Sequence, residues 1–528
     1  MTREDDTLWT LLQLQARQHP DDPMLVDAGG TVTRAQLAGR AAAVAAGLRS
    51  AGVAPGDRVA VQAGNRREHV ELLFALSALG AVYCPVHPGY VGESLRHAID
   101  LLEPVLVVAD AAHRPALAPA LPGGVTVVAL DPEPAGRQPA GPCPAGPADL
   151  CYAALAAAAP ASLPPVDPGA PALILMTSGT TGRSKGVVIS SRFAVSTGRV
   201  NARTRGITRA DRLFSCYSFC HTNPHNFTLF PALVAGASMA WSERFSTTRF
   251  LSEVRALGAT QFSLFTTTML MLLGAPPTEA DRAHGASACM SVGTPPGRGA
   301  EFEARFGVRI IKPYGMTECG PITVSSDVNG RRLGSSGRPV DEWTVAVMGP
   351  DGTLLPAGAT GEIVGRPNER GMLMSGYYRN AEATAAAFAD LWFHTGDLGR
   401  FDSDGFLWYA GRLGDVIRRR GENIAAADVE RAARQYPGVL DAAAVAVPSP
   451  LGEDDLLLLL EVGEGPVDPG GVHARLAREL PRYALPQYIR QLPEFPRTVT
   501  GRVTKKALAA VTDDTWHAPE RKRKGATA

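Results

Sequence analysis

This sequence has no long apolar run, few cysteines and no excess of charge of either sign. No stretch approaches the roughly 18 apolar residues that span a bilayer. The nearest candidates are short, such as Leu456–Val462, which contains Glu461, so no membrane span is expected. The opening Met-Thr-Arg-Glu-Asp-Asp lacks the apolar core of a secretion signal. Cys84, Cys143, Cys151, Cys216, Cys220, Cys289 and Cys319 are scattered and odd in number. That argues against a disulfide framework and for a reducing, cytoplasmic location. Cys216 and Cys220 form no CxxC pair, so no zinc site is expected from them. Lys plus Arg is 52 and Asp plus Glu is 52. A protein that tracks a polyanion usually carries a strong basic excess, so no nucleic-acid partner is expected. A small nucleotide needs only a local phosphate site and stays open. No internal repeat is visible, which excludes a solenoid.

What is present is an ordinary globular composition, 45% hydrophobic over 528 residues, enough for more than one domain. Thr33-Arg-Ala-Gln36 fits a capping box before an Ala/Leu-rich helix that stops near Gly52. Arg58–Gln62 reads as a strand, Glu68–Leu79 as a helix and Ala81–Val86 as a strand. That alternation predicts a parallel sheet with crossover helices. Residues 131–171, rich in Pro, Ala and Gly, read as a surface connection. Gly361–Arg366 and Phe406–Tyr409 look like short strands before a boundary near Gly411–Gly421. Beyond it a helix from Ala427 to Tyr436, strands Val439–Val447 and Leu456–Val462, a helix from Gly471 to Leu480 and a short C-terminal helix are expected. The end from Ala518, with Arg521-Lys-Arg-Lys524, reads as a solvated tail.

The sharpest chemical feature is Thr177-Ser-Gly-Thr-Thr-Gly-Arg-Ser-Lys-Gly186, set between the apolar runs Ala172–Met176 and Val187–Ile189. Glycines and hydroxyls packed between two strands offer N–H and O–H groups to a polyphosphate, and Lys185 adds a cation. The Walker pattern cannot be fitted, so this is not that phosphate loop.

The loop resembles the signature of the adenylate-forming superfamily, which includes acyl-CoA synthetases. Its other motifs recur in order from about Leu8 to about Leu508: Gly293-Thr-Pro295, Tyr314-Gly-Met-Thr-Glu318, Gly361-Glu362, Trp392-Phe-His-Thr-Gly-Asp397 and Gly411-Arg412. Within the superfamily the stretch Phe302–Glu318 looks most like the crotonobetaine/carnitine–CoA ligases. The resemblance implies an α/β fold, with a large multi-sheet N-terminal domain (1–413) and a small mobile α+β lid (414–515), while the charge run predicts a disordered basic tail over 516–528.

It also implies ATP and Mg²⁺ as cofactors, a carboxylic acid as substrate, and CoA as the leading acceptor. Thr177, Ser178, Gly179, Thr180, Thr181 and Lys185 would cradle phosphate. Gly293, Thr294 and Pro295 would flank the adenine and the acyl group. Tyr314 would stack on adenine beside Gly315, Thr317 would meet phosphate, and Glu318 with Thr180 would hold Mg²⁺. Gly361-Glu362 would be a structural turn, while Asp397 and Arg412 would grip the ribose.

These roles make physical sense. The acid must attack an anionic α-phosphate, so metal and cations are needed to disperse charge. Glu318 is a hard oxygen ligand, and Asp397 can accept from two vicinal hydroxyls. His221, in Phe219-Cys-His-Thr-Asn-Pro-His225-Asn226, aligns with the gate of the acid pocket. Pro224 and the absence of a following Glu argue against a helical metal pair of His221 with His225. The polar run suggests a polar or aromatic acid rather than a long aliphatic one.

Two positions depart from the pattern. Arg502 stands where the family has its catalytic Lys, with Lys505 the rival for that role, and Gly414 stands at the hinge. Adenylate transfer to a carrier-protein thiol, an amine or nitrite is the alternative. A degenerate binding homologue is opposed by the intact loop, Glu318 and Asp397.

Overall fold

The computed structural model describes residues 6–130, 150–177, 184–294, 297–413, 416–419, 422–448, 454–463, 465–480, 484–497 and 503–518. The chain divides into two compact units, Met1–Val345 with Gly365–Phe393, and Ala346–Val364 with His394–Ala528.

The first unit holds two large sheets. One runs Gly376–Tyr377, Lys185–Ser190, Pro171–Thr177, Val82–Pro85, Arg58–Gln62, Leu106–Asp110, Thr126–Leu130, Leu150–Cys151. It is parallel from Pro171–Thr177 onward. The other runs Arg338–Pro339, Gly320–Ser325, Arg309–Met316, Ala288–Val292, Gln261–Phe265, Arg212–Ser215, Ser238–Trp241, Pro23–Asp27, Gly30–Thr33. Its pairings from Arg309–Met316 through to Pro23–Asp27 are also parallel. Strands such as Val82–Pro85 and Ser238–Trp241 are buried along their whole length, as expected where crossover helices cover both faces.

The expected helix after Thr33 is Arg34–Ser50, and Thr33 and Gln36 complete its capping box. The expected strand at Arg58–Gln62 and helix ending at Leu79 are present. The surface reading of 131–171 needs correction. Residues 131–149 lie outside the described residues, but Tyr152 and Leu155 are buried on a short helix, Tyr152–Ala156. The Tyr152 hydroxyl donates to Glu71 at 2.9 Å. A Cβ on Gly47 of the Arg34–Ser50 helix would sit 2.4 Å from the Leu155 carbonyl, so glycine there permits the close approach. Two anchoring side chains were hidden in a composition that otherwise reads as linker.

The second unit contains a four-stranded sheet, Val439–Pro448, Asp454–Val462, Tyr488–Leu492, Trp516–His517. Its leucine run serves both faces. Leu456, Leu458 and Leu460 join Val429, Val472 and Leu476 beneath helices Ala426–Ala433 and Pro469–Glu479. Leu457 and Leu459 join Phe495 and Leu508 on the other side. A period of two with both faces covered explains why five leucines in a row make a strand. The expected C-terminal helix is only a 3-10 turn, Lys505–Leu508. The tail from 519 onward lies outside the described residues.

Candidate active site

Strands Pro171–Thr177 and Lys185–Ser190 pair antiparallel with Thr177 opposite Lys185, so they close the base of the expected phosphate loop. Ser178, Gly179, Thr180 and Thr181 lie outside the described residues. Ser184 contacts Tyr90, hydroxyl to hydroxyl at 3.4 Å, and its carbonyl lies 3.1 Å from His97 Nε2. The ammonium of Lys185 sits 4.7 Å above the Tyr377 ring. The short strand Gly376–Tyr377 pairs with the strand that begins at Lys185, which brings that ring to the ammonium.

Gly293 follows the C-terminal end of parallel strand Ala288–Val292 with φ +78°. Its carbonyl accepts from the Thr266 hydroxyl, and Thr294 Oγ1 donates to Ser291 Oγ at 3.0 Å. Pro295 lies outside the described residues. The neighbouring parallel strand, Arg309–Met316, carries Tyr314, which is 8% exposed. It turns through Thr317-Glu318-Cys319 into Gly320–Ser325. A Cβ on Gly315 would stand 1.8 Å from the Gly320 carbonyl, so only glycine allows this tight hairpin. Ligands of open parallel sheets bind beyond such strand ends.

Glu318 is 8% exposed, and its Oε1 accepts from the Tyr377 hydroxyl at 2.8 Å. A carboxylate is a hard oxygen donor, and the described side-chain partner of this one is a neutral hydroxyl rather than a cation that would compete with a metal. It therefore fits Mg²⁺, which binds through one or two carboxylates plus substrate phosphates. The sequence reading missed Tyr377. The available signal was a Gly-Tyr pair well downstream of the loop, which says nothing by itself about its neighbours.

The expected acid-pocket segment begins at the C-terminal end of strand Arg212–Ser215. Asn65 holds it: Nδ2 donates to the Tyr217 carbonyl at 2.9 Å, and Oδ1 accepts from the Phe219 N–H at 3.1 Å. Asn223 Oδ1 accepts from Ser263 at 2.8 Å and Ser215 at 3.3 Å. The chain then enters a π-helical turn, His225–Leu229, an irregularity frequent at functional sites. His221 is half-buried and meets His87 edge to face, with ring centroids 5.4 Å apart. His87 follows the end of strand Val82–Pro85 in the other sheet, and Gln62 Nε2 donates to the carbonyls of His87 and Tyr90. Burial lowers the pKa of His87 and brings that of His221 down to about 4, with His87 also lowering it. Both rings are therefore neutral at pH 7. His225 is 1% exposed and directs Nε2 to the Phe219 carbonyl at 2.7 Å, so it belongs to the wall of this segment rather than to a pair with His221.

In the second unit, strands Trp392–Phe401 and Leu407–Arg412 pair with Asp397 opposite Arg412. The Arg412 guanidinium lies 2.9 Å from Asp397 Oδ1, and Asp397 is 4% exposed. Gly361-Glu362 is not a turn: it opens strand Gly361–Pro367. Glu362 braces the Asp397 segment by accepting from the Gly396 N–H at 2.9 Å and pairing with His394 at 2.9 Å. The side chain, rather than a turn geometry, gives this position its use. Lys505 lies 2.7 Å from Glu430 Oε1, which also accepts from the Ala444 N–H at 2.9 Å. Arg502 and Gly414 lie outside the described residues.

With this geometry in place, comparison with known proteins defines the class. The AMP-binding enzyme family model matches residues 12–378. Over 513 residues the chain is 35% identical to a sulfoacetate–CoA ligase from Cupriavidus necator, covering 95% of this chain and 97% of the relative. It is 31% identical to an indoleacetate–CoA ligase from Aromatoleum aromaticum, covering 89% and 91%. The crystal structure of ATP-bound MatB from Rhodopseudomonas palustris superposes with a TM-score of 0.84 at 28% identity, covering 94% and 98%.

The chain belongs to the AMP-binding enzyme family. It is an ATP-dependent, AMP-forming acid–CoA ligase, which activates a carboxylic acid with release of pyrophosphate and passes the acyl group to CoA. Among the described residues no helix is long and apolar enough to cross a membrane.

Proposed function

We propose that the acid is short and carries a second polar group. The observation behind this reading is the polar set on the 216–226 segment and its neighbour: His221, Asn223, His225 and Asn226, with His87 beside them. Sulfoacetate, the acid named for the 35% identical relative, has this character. Long aliphatic chains need an apolar tunnel, and burying unpaired polar groups against one is costly.

In our reading Thr177, Ser178, Gly179, Thr180, Thr181 and Lys185 cradle the phosphates. Gly293, Thr294, Pro295, Tyr314 and Gly315 take the adenine, and Asp397 and Arg412 take the ribose. Glu318 and Thr180 hold Mg²⁺, which when bound shields the phosphate charge from the attacking carboxylate. Thr317 meets the phosphate and His221 faces the acid. Tyr377 orients both Glu318 and Lys185. Arg502 supplies the cation between carboxylate and α-phosphate, and the Lys505–Glu430 pair supports that assignment by giving Lys505 an occupation inside its own unit. The lid is the C-terminal segment from 414 to 515, pivoting at Gly414. A cytoplasmic location suits the free thiols of Cys84, Cys216, Cys220 and Cys289.

The test is a panel of acids read by hydroxylamine trapping of the adenylate and by pyrophosphate release with CoA. Short acids with a second polar group should give kcat/KM at least about tenfold above medium-chain fatty acids, the scale of a lost buried polar contact. Preference for the fatty acids overturns the reading.

A further inference from the structure

His87, Cys220 and His221 bring three metal-ligating side chains together, with one ligand atom from each lying within 4.8 Å of the others. Neither Cys216 nor His225 belongs to this group. We propose that these three residues form a zinc-binding site, separate from the Mg²⁺ site and with one open coordination position.

The donor set is the first argument. Two imidazoles and one thiol match the preference of Zn²⁺ for nitrogen and sulfur, and three protein ligands with an open fourth place are the usual form of a reactive zinc site. Mg²⁺ prefers oxygen and would not compete well here. Spacing is the second. Zn–N bonds of about 2.1 Å and a Zn–S bond of about 2.3 Å put tetrahedral ligand atoms roughly 3.3–3.6 Å apart. With ligand atoms up to 4.8 Å apart, the cluster needs to contract by up to about 1.2–1.5 Å, within reach of side-chain rotation.

Support around the ligands is the third. Gln62, fully buried, fixes the His87 loop through its carbonyl. Asn65 fixes the 217–219 segment just before Cys220. Outer partners of this kind hold metal ligands in place. Coordination makes two demands. The Cys220 thiol must release its proton to solvent as the Zn–S bond forms. His87 Nδ1 now accepts from the Gly89 N–H at 2.9 Å, and zinc binding breaks that bond. The Gly89 bond is exposed, so water can replace it.

The sequence could not reveal this site. Cys220 and His221 are adjacent, but the third ligand lies far away in the chain, at the end of a strand in another sheet.

The test is titration of the full-length, reduced protein with Co²⁺, read by absorption without any turnover. It is therefore independent of which acid the enzyme takes. One equivalent should give visible bands of a four-coordinate ion and a near-ultraviolet thiolate-to-cobalt band, both abolished by Zn²⁺. Cys220→Ser should remove the thiolate band. His87→Gln and His221→Gln should each weaken cobalt binding at least tenfold, with wild-type melting curves in the metal-free state showing that the fold persists. No thiolate band in the wild-type protein, or wild-type cobalt affinity in both histidine variants, overturns the proposal.

Discussion

The hydroxyl of Tyr377 donates to Glu318 Oε1 at 2.8 Å, while the face of the same ring receives the Lys185 ammonium at 4.7 Å. One side chain thus sits between the Lys185 ammonium and the Glu318 carboxylate. The contact requires the Gly376–Tyr377 strand to pair with the strand that begins at Lys185. It also requires the hairpin that places Glu318 two residues before Gly320. A hydrogen bond to a charged group contributes about 1.5–3 kcal/mol. Tyr377→Phe keeps the ring and removes that bond. Its half-saturating Mg²⁺ concentration should rise about tenfold, with kcat falling less. An unchanged Mg²⁺ dependence would separate Tyr377 from metal binding.

Asp397 faces Arg412 across a hairpin and is nearly inaccessible. Asp397→Asn should reduce kcat/KM for ATP about tenfold or more, and the penalty for 2′-deoxyATP or 3′-deoxyATP should shrink. The melting temperature should also drop, modestly because the Arg412 side chain is 30% exposed and partly hydrated. Full discrimination against both analogues in the variant would remove Asp397 from the ribose site.

Arg502 and Lys505 should separate in a paired experiment. Arg502→Ala should lower adenylate formation by one to several orders of magnitude, the scale of a lost positioned charge. It should spare thioester formation from preformed acyl-adenylate. Lys505→Ala frees Glu430 from a partly buried pair and should cost about 1 kcal/mol of stability with adenylation retained. The reverse pattern would give Lys505 the catalytic role.

Acid should destabilise the first unit through His69 and His225. Burial is the main cause holding both imidazoles down to about 4, against an ordinary value of 6.5. Between those values the unfolded chain binds more protons than the folded one. Stability is therefore fully present above about pH 6.5 and falls as pH approaches 4, by about 1.4 kcal/mol per pH unit for each ring. Melting curves from pH 7 to 4 should show this slope, and His225→Gln should flatten it. An unchanged slope in that variant would assign the acid sensitivity to other groups.

Much of the scaffold was legible because the signals are local. A Thr-x-x-Gln box starts a helix through bonds it makes to its own first turn, and alternating strands and helices imply parallel pairing. The motif residues were legible one by one, as residue types suited to phosphate, metal and ribose. The sequence could not show which of them touch. Asp397 meets Arg412 through strand register, and Tyr377 reaches Glu318 through the pairing of a two-residue strand. Tyr152 is buried because Gly47 leaves room for its helix, although the surrounding composition reads as linker. His87 joins Cys220 and His221 because two sheets end at the same place. Sequence patterns report on preferences that a segment can satisfy within a few residues. Contacts between distant segments depend on register and packing, which only the folded chain decides.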